Sequence, residues 1–257
     1  MKRSVIAVFL LAFAFSAALG APAKAPQTQK KKKVPCKPNL AKCPDEGCGG
    51  KDIDPELNKR KNIRSDDHEA TARTLAWMKK LGDPDDFAKG DTREELTALG
   101  EGDKVTVVAY VLVVRPGSPE SCNCGLKAAA ETDNHMVLVT KSTINKFPLA
   151  GSADSKVILK KREEESETAE FTPRVRLQHP NFTRTKLQPL IDSAKEQALL
   201  VRVTGQLLFD SEHFLGRHLV RVNNWEIHPV LKLEFCTTGA TCKANSDNGW
   251  KSLDDLN

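Results

Sequence analysis

Three histidines lie close to carboxylates at spacings that could do chemistry. Asp133 and His135 are two apart in TDNH, Glu226 and His228 are two apart in WEIHP, and His213 follows Asp210 and Glu212 in DSEH. In an extended chain residues i and i+2 share a face, so the first two pairs each present an imidazole beside a carboxylate. Such pairs bind a divalent metal or supply a general acid and base. EFTPR adds Glu170 and Arg174, the latter a guanidinium able to neutralise a phosphate or a carboxylate. The plainer reading of the same residues is structural. Alternating strands expose polar side chains, which makes Glu226, His228 and Arg174 an ordinary solvated face. Asp210 and Glu212 suit a turn, and His213 a loop hydrogen bond. The sequence contains no H-E-x-x-H, no Gly-rich phosphate loop and no G-x-S-x-G, so concentration in one region is what promotes these residues.

The seven cysteines are a second source of chemistry. Cys36, Cys43 and Cys48 fall in the Pro/Gly-rich stretch KVPCKPNLAKCPDEGCGG. Cys122 and Cys124 form a C-N-C, too tight for an easy bridge to one another. Cys236 and Cys242 flank TTGAT, where a local bridge is expected. An odd count leaves one thiol over, or pairs it between chains. The spacings fit no paired C-x-x-C arrangement, which makes a zinc site built from cysteines the weaker reading.

Disulfides need an oxidising compartment, and the first residues supply an address. Lys2 and Arg3 precede an apolar run over residues 5–18, and Ala-Leu-Gly precedes Ala21. That is the grammar of a secretory signal peptide over residues 1–20; a retained anchor helix is the alternative. No later apolar run reaches membrane-spanning length. The expected location is periplasmic or extracellular. The net charge of +5 is carried by the leader and a tail: residues 1–40 hold eight basic residues and no acid, and without them the balance is −3. Residues 100–257 hold 20 basic and 20 acidic side chains. Domain-wide nucleic-acid binding needs a basic stripe and is not favoured.

The elements that must position these residues follow in order. Residues 21–64 read as a Lys/Pro/Gly-rich, flexible, cysteine-bearing arm, and residues 21–50 have too little apolar content to matter for folding unless a cysteine there bridges to the C-N-C. Residues 65–99 read as a short helical segment, with helix signals over 66–81 and a capping box opening 92–99. Residues 100–257 read as strands: 104–114, 135–140, 156–159 and 168–177, a helix over 184–197, then strands 199–210 and 225–235, with a short piece at 218–222. A helix between the third and fourth strands is the order of an OB-fold, a five-stranded Greek-key barrel. The expected class is mainly β, an OB-like barrel with one inserted helix behind a short helical N-terminal segment. Alternation supports it: Leu199, Val201, Val203, Leu207 and Phe209 share one face, as do Trp225, Ile227, Leu231, Leu233 and Phe235. Phe171, Val175 and Leu177 are expected to point inward. The first strand is apolar on both faces, and the segment 66–81 is the expected outer cover.

At GCGGKDIDPELNKRKNIRSD, ESCNC, TDNH, EFTPR, LLFDSEH and WEIHPV the chain resembles a group of uncharacterised exported bacterial proteins. These share a cysteine-bearing arm and a C-terminal OB-like barrel, and the resemblance covers residues 43–235. It implies a bacterial, exported protein and carries no activity. The stretch 146–167 looks less typical and is expected to form a flexible hairpin. Three functions stay open. The first is a binding module whose outer barrel face and loops hold an oligomeric or anionic ligand, with Asp133, His135, Glu170, Arg174, Asp210, His213, Glu226 and His228 as candidates. The second is a metal-assisted hydrolase, phosphodiester-type, in which His135, His213 and His228 hold a divalent metal or act as acid and base. The third is a structural envelope protein whose Lys-rich tail touches acidic surfaces.

Overall fold

The β-branched run after residue 103 forms the longest strand, and the sheet is built around it. In chain order the elements are α1 (Pro55–Lys61), β1 (Thr71–Thr74), α2 (Leu75–Met78), α3 (Glu94–Ala98), β2 (Lys104–Pro116), β3 (Asn134–Val139), α4 (Lys141–Lys146), α5 (Ser155–Glu163), β4 (Glu167–Phe171), α6 (Arg184–Ser193), β5 (Leu199–Phe209), β6 (Trp225–Cys236) and β7 (Trp250–Ser252). This computed structural model describes residues 36, 39–49, 53–84, 87–88, 90–212, 220–239 and 241–256. The leader, nearly all of the Lys-rich tail and His213 lie outside the described residues. No helix among the described residues is long and apolar enough to cross a membrane.

β2 pairs antiparallel with β3, β3 with β4, β4 runs parallel to β6, β6 pairs antiparallel with β5, and β5 returns to β2. Five strands therefore close into a barrel, with β1 added beside β2 and β7 beside β6. The one parallel contact among the five barrel strands, β4 with β6, and the position of α6 between the third and fourth of them make the barrel OB-like, as the strand order predicts. Its interior is filled by Val105, Val107, Ala109 and Val111 of β2, Leu199, Val201, Val203, Leu207 and Phe209 of β5, and Trp225, Ile227, Leu233 and Phe235 of β6. A register shift between Val111 and Val113 moves the inward face of β2 by one residue, so Val114 joins the core. Irregular pairing around Gly205 does the same to β6: Val230 fills the interior and Leu231 only packs at its edge.

Several expectations are corrected. Residues 156–159 are not a strand: Asp154 caps α5 by accepting from the Lys156 and Val157 amides, and a helix replaces the expected hairpin. A short apolar run cannot by itself distinguish helix from strand, and the cap decides here. β4 stops at Phe171, where Thr172 and Pro173 open a turn, so Val175 reaches the core from a 3₁₀ turn and Leu177 is exposed. The segment 66–81 is strand β1 followed by α2, and Leu75 and Met78 plug the barrel interior rather than cover its outside. The outer face of β2 is instead covered by Ile144, Ala198, Leu200 and the Cys236 region, packed on Tyr110 and Leu112. α3 has no side-chain cap bond, so Thr92 does not close a capping box.

The arm is the largest difference. Cys43 is bridged to Cys124 and Cys36 to Cys48, while Cys236 bridges Cys242 as expected. Cys122 is the free, buried thiol. The described arm residues are not loose. Leu57, Asn58, Lys61 and Asn62 are buried, Cys48 N–H donates to the Ser121 carbonyl, and Asn62 Nδ2 donates to the Cys122 and Asp45 carbonyls. Gly47 makes this contact possible: a Cβ there would meet the Ser121 oxygen at 2.2 Å, and its φ of +67° is unstrained only for glycine. The arm is part of the domain, held by a covalent bridge across 81 residues.

Candidate functional site

The arm packs against β6, the loop before β3 and Arg174 after β4, and beside it the candidate residues meet. β3 contributes His135, β4 Glu170, β6 Glu226 and His228, and the loop before β3 contributes Glu120, Cys122 and Asp133. The expectation of a solvated face fails: Glu226 and His228 are fully buried, and Asp133, Glu170 and Arg174 nearly so. Alternation correctly placed Glu226 and His228 together on the face opposite Trp225 and Ile227. It could not show that the arm covers that face.

His228 is held by carboxylates on one side and left open on the other. Its Nδ1 lies 3.0 Å from Glu226 Oε1 and 3.2 Å from Glu170 Oε2. Its Nε2 has no hydrogen-bond partner among the described residues and stands 4.0 Å from Asp133 Oδ2, which also has none. Asp133 Oδ1 accepts from Asn123 Nδ2 at 3.0 Å, fixing the carboxylate with Oδ2 free. His135 Nε2 and Glu170 Oε2 lie 3.4 Å apart, and neither meets hydrogen-bond geometry with any described group. Four unpartnered buried polar atoms thus gather in one place.

Charges around the site are arranged rather than random. Lys61 Nζ is buried and bonds Glu120 Oε2 at 2.9 Å; burial opposes its charge, but Glu120 and Asp210 outweigh that and raise its pKa well above the usual lysine range. Arg221 bonds Glu226 Oε2 at 2.7 Å and Asp210 Oδ2 at 3.0 Å, and these carboxylates raise its pKa against burial. Burial first, and then Glu120, push Asp133 up to about 7. Burial opposes the charge of Glu170 too, but the two histidines win and its pKa falls. His228 is driven well above the usual histidine range because Glu170 and Glu226 outweigh its burial. In the absence of a cation, a proton on His228 offsets part of the charge of Glu170 and Glu226. The Cys122 thiol, 3.4 Å from Glu120 Oε2, is kept protonated by burial and by Asp133 and Glu120.

A divalent cation is an alternative to that proton. The ligand atoms of Asp133, Glu170 and His228 lie within 4.8 Å of one another, as do those of Glu120, His135 and Glu170, and those of Glu120, Cys122 and Asp133. Imidazole with carboxylates suits zinc, manganese or iron. Glu226 on Nδ1 is the outer carboxylate that orients a ligating histidine and leaves Nε2 for the metal. The other candidates have different roles. Arg174 donates to the Cys43 carbonyl at 2.9 Å and to Asp45 at 3.2 Å, so it clamps the arm. Asp210 holds Arg221. Lys61, Arg221 and Glu120 were not singled out as site residues from sequence. Only Glu120 carried a signal, its place beside the C-N-C; Lys61 sat unremarkably in a charged run. Compared with protein-family models, curated proteins and solved structures, the chain matches none.

Proposed function

We propose that this is an exported metalloprotein whose OB-like barrel holds a divalent cation at Asp133, Glu170 and His228 and uses it for metal-assisted hydrolysis. The observation that carries the reading is the convergence of these three ligand atoms, from three separate segments, with Asp133 Oδ2 and His228 Nε2 otherwise unpartnered. Export is supported by the leader sequence and by the bridging of all the cysteines except Cys122. Catalysis rather than pure structure is supported by one open edge, since His135 keeps a third of its side chain in solvent. A purely structural metal site is closed on all sides. Elemental analysis of the purified protein tests this: bound zinc, manganese or iron is expected, and it is lost in Asp133→Asn and His228→Gln. Metal-free protein that takes up none of these ions from buffer overturns the reading.

A binding module remains as a second reading, moved to a different surface. The ends of β3 and β4 that carry His135 and Glu170 are enclosed with the buried cluster, but a groove of about 430 Å³ opens beside β2 and β5. Tyr110, Ile144, Leu190 and Leu200 line it, with Lys141 and Lys195 at its edge. Its size and apolar lining suit a small amphiphile, and the two lysines an anionic head. Titration with dodecanoate tests this reading, and the absence of saturable binding removes it.

A further inference from the structure

We propose that the free thiol of Cys122 is a further ligand of the centre, joining Asp133, Glu170 and His228 as a thiolate, and that the cation it selects is zinc. This rests on the metal reading above and deepens it, because imidazole and carboxylates alone leave zinc, manganese and iron open. Asp133 is the joint between the two parts. A carboxylate oxygen of Asp133 lies within 4.8 Å of the ligand atoms of Glu170 and His228, and one lies as close to Glu120 and the Cys122 sulfur. Two buried atoms point to an occupant without any help from the cysteine. Asp133 Oδ2 and His228 Nε2, on side chains 1% and 0% exposed, have no hydrogen-bond partner among the described residues and stand 4.0 Å apart.

The ESCNC turn gives each of its polar side chains a place at this centre. The Asn123 and Gly125 amides donate to the Glu120 carbonyl and the Cys124 amide to that of Ser121, which closes the turn. Glu120 meets Lys61, Asn123 Nδ2 holds Asp133 Oδ1 at 3.0 Å, and Cys124 is bridged to Cys43. Asn62 Nδ2 fixes the backbone of Cys122 from the arm, donating to its carbonyl at 2.9 Å. Neither pairing nor packing accounts for the Cys122 sulfur. The other six cysteines are bridged to one another. Cys122 is 1% exposed yet joins none of the apolar clusters, and its thiol lies 3.4 Å from Glu120 Oε2 with Asp133 and Lys61 around it. A buried cysteine kept for packing behaves as a small apolar side chain; one set among carboxylates is placed for its sulfur.

Thiolate is the softest ligand available here, and it shifts the preference of the site toward zinc and away from manganese, magnesium and calcium. In the metal-free protein the sulfur keeps its proton and donates toward Glu120. As the sulfur–zinc bond forms, that proton leaves along the same hydrogen bond. Glu120 does not keep it, because Lys61 Nζ stands 2.9 Å from the accepting oxygen, and a side chain 12% exposed passes it to solvent. Lys61 occupies that oxygen of Glu120, which therefore serves the proton rather than the ion. Water enters as an additional ligand, a coordination that zinc accepts during hydrolysis.

Cobalt spectroscopy reads the sulfur directly. Co²⁺ takes the place of zinc in such sites, and a bound thiolate adds intense charge-transfer absorption in the near ultraviolet that oxygen and nitrogen ligands do not give. With every other cysteine bridged, such a band reports Cys122 alone. Metal-free protein, kept clear of thiol reductants, is titrated with Co²⁺ and its cobalt content measured. Saturable uptake with the band is expected in the wild type, and uptake without it in Cys122→Ser. Zinc outranks manganese at most nitrogen and oxygen sites as well, so the second readout is a change. The preference for Zn²⁺ over Mn²⁺ in competition dialysis is expected to fall about tenfold or more in Cys122→Ser. Cobalt bound without the band, a band kept in the variant, or an unchanged preference overturns the role of Cys122 and leaves the first reading standing. Should the variant not fold, the wild-type spectrum decides. Protein that takes up none of the three ions removes both.

Discussion

Two buried charge clusters lie on this barrel, and they differ in how completely they are satisfied. Arg93 and Glu101, both nearly inaccessible, join the segment after α3 to the end of β5. Glu101 Oε1 accepts from Arg93 and from the Phe209 amide at 3.1 Å, and Oε2 accepts from Arg93 Nε at 2.8 Å with Arg60 Nε 3.1 Å away as an ion pair. Arg93 also donates to Ser211 Oγ at 3.1 Å and to the Phe209 carbonyl at 2.7 Å. Every oxygen of that carboxylate is occupied. The cluster under the arm is equally buried, yet Asp133, His135, Glu170 and His228 each leave an atom unpartnered. Burying charge is tolerable where the partners are built in, as at Arg93, and the desolvation cost then disappears into the fold. Where partners are missing in a coherent group, as under the arm, the cation proposed above would supply them.

The comparison breaks first at Arg93. Arg93→Ala removes the bidentate partner of buried Glu101 and leaves it only Arg60 and the Phe209 amide, and is expected to cost about 3 kcal/mol in urea unfolding. Metal content of the protein that remains folded should not change. A cost under about 1 kcal/mol would show that this pair is not the structural one. The next effect belongs to the bridge that keeps the second cluster covered. Removing Cys43–Cys124 as a Cys43→Ala, Cys124→Ala pair releases a long loop and is expected to cost about 4 kcal/mol. An unchanged midpoint in thermal unfolding would return the arm to the status of a loose tail.

The third effect is smaller and separates the clusters by sign. Free metal at 100 times its Kd is expected to stabilise the wild type by about 2.7 kcal/mol and Asp133→Asn by nothing. Without metal, Asp133→Asn should be no less stable than the wild type, because it removes a carboxylate crowded by Glu120 and Glu170. Thermal unfolding with and without Mn²⁺ reads both. A large loss of metal-free stability in this variant would place Asp133 with Arg93, as a structural residue.

How much of this was legible in sequence follows from what kind of pattern each part leaves. The alternation in β5 placed all five of its core residues correctly, because pairing on both sides fixes its register. The helix between strands three and four gave the barrel its order. Residues 156–159 and 172–177 failed because their outcome rests on an Asp cap and a turn, which apolar pattern does not record. The pairs Glu226–His228 and Asp133–His135 were visible as i, i+2 neighbours, but their meeting depends on β4 lying between β3 and β6. Above all, the covered face was illegible. Asn58, Lys61 and Asn62 belong to a charged run that composition reads as solvated, and only the bridge from Cys43 to Cys124 turns it into a cover.

The smallest effect tests whether unpartnered atoms alone are enough to mark a site. Glu167, at the start of β4, is fully buried and neither oxygen has a hydrogen-bond partner among the described residues. No group of metal ligands among the described residues includes it. Standing alone, it meets the problem by keeping its proton: burial, partly offset by Arg221 and Lys79, lifts its pKa to about 8. The unfolded chain gives up that proton near pH 4.5, the ordinary value. Between those limits the unfolded state binds fewer protons than the folded one, so stability falls as pH rises from about 4.5 to about 8. Glu167→Gln removes this slope. Its stability relative to the wild type should rise with pH across this range, by up to about 1.4 kcal/mol per pH unit, from a start below the wild type set by the pH-independent cost of the buried amide. Unfolding curves at a series of pH values check it. Parallel curves for the two proteins would mean that Glu167 is ionised and has a partner, and that lone orphaned carboxylates on this barrel deserve the same reading as the cluster at His228.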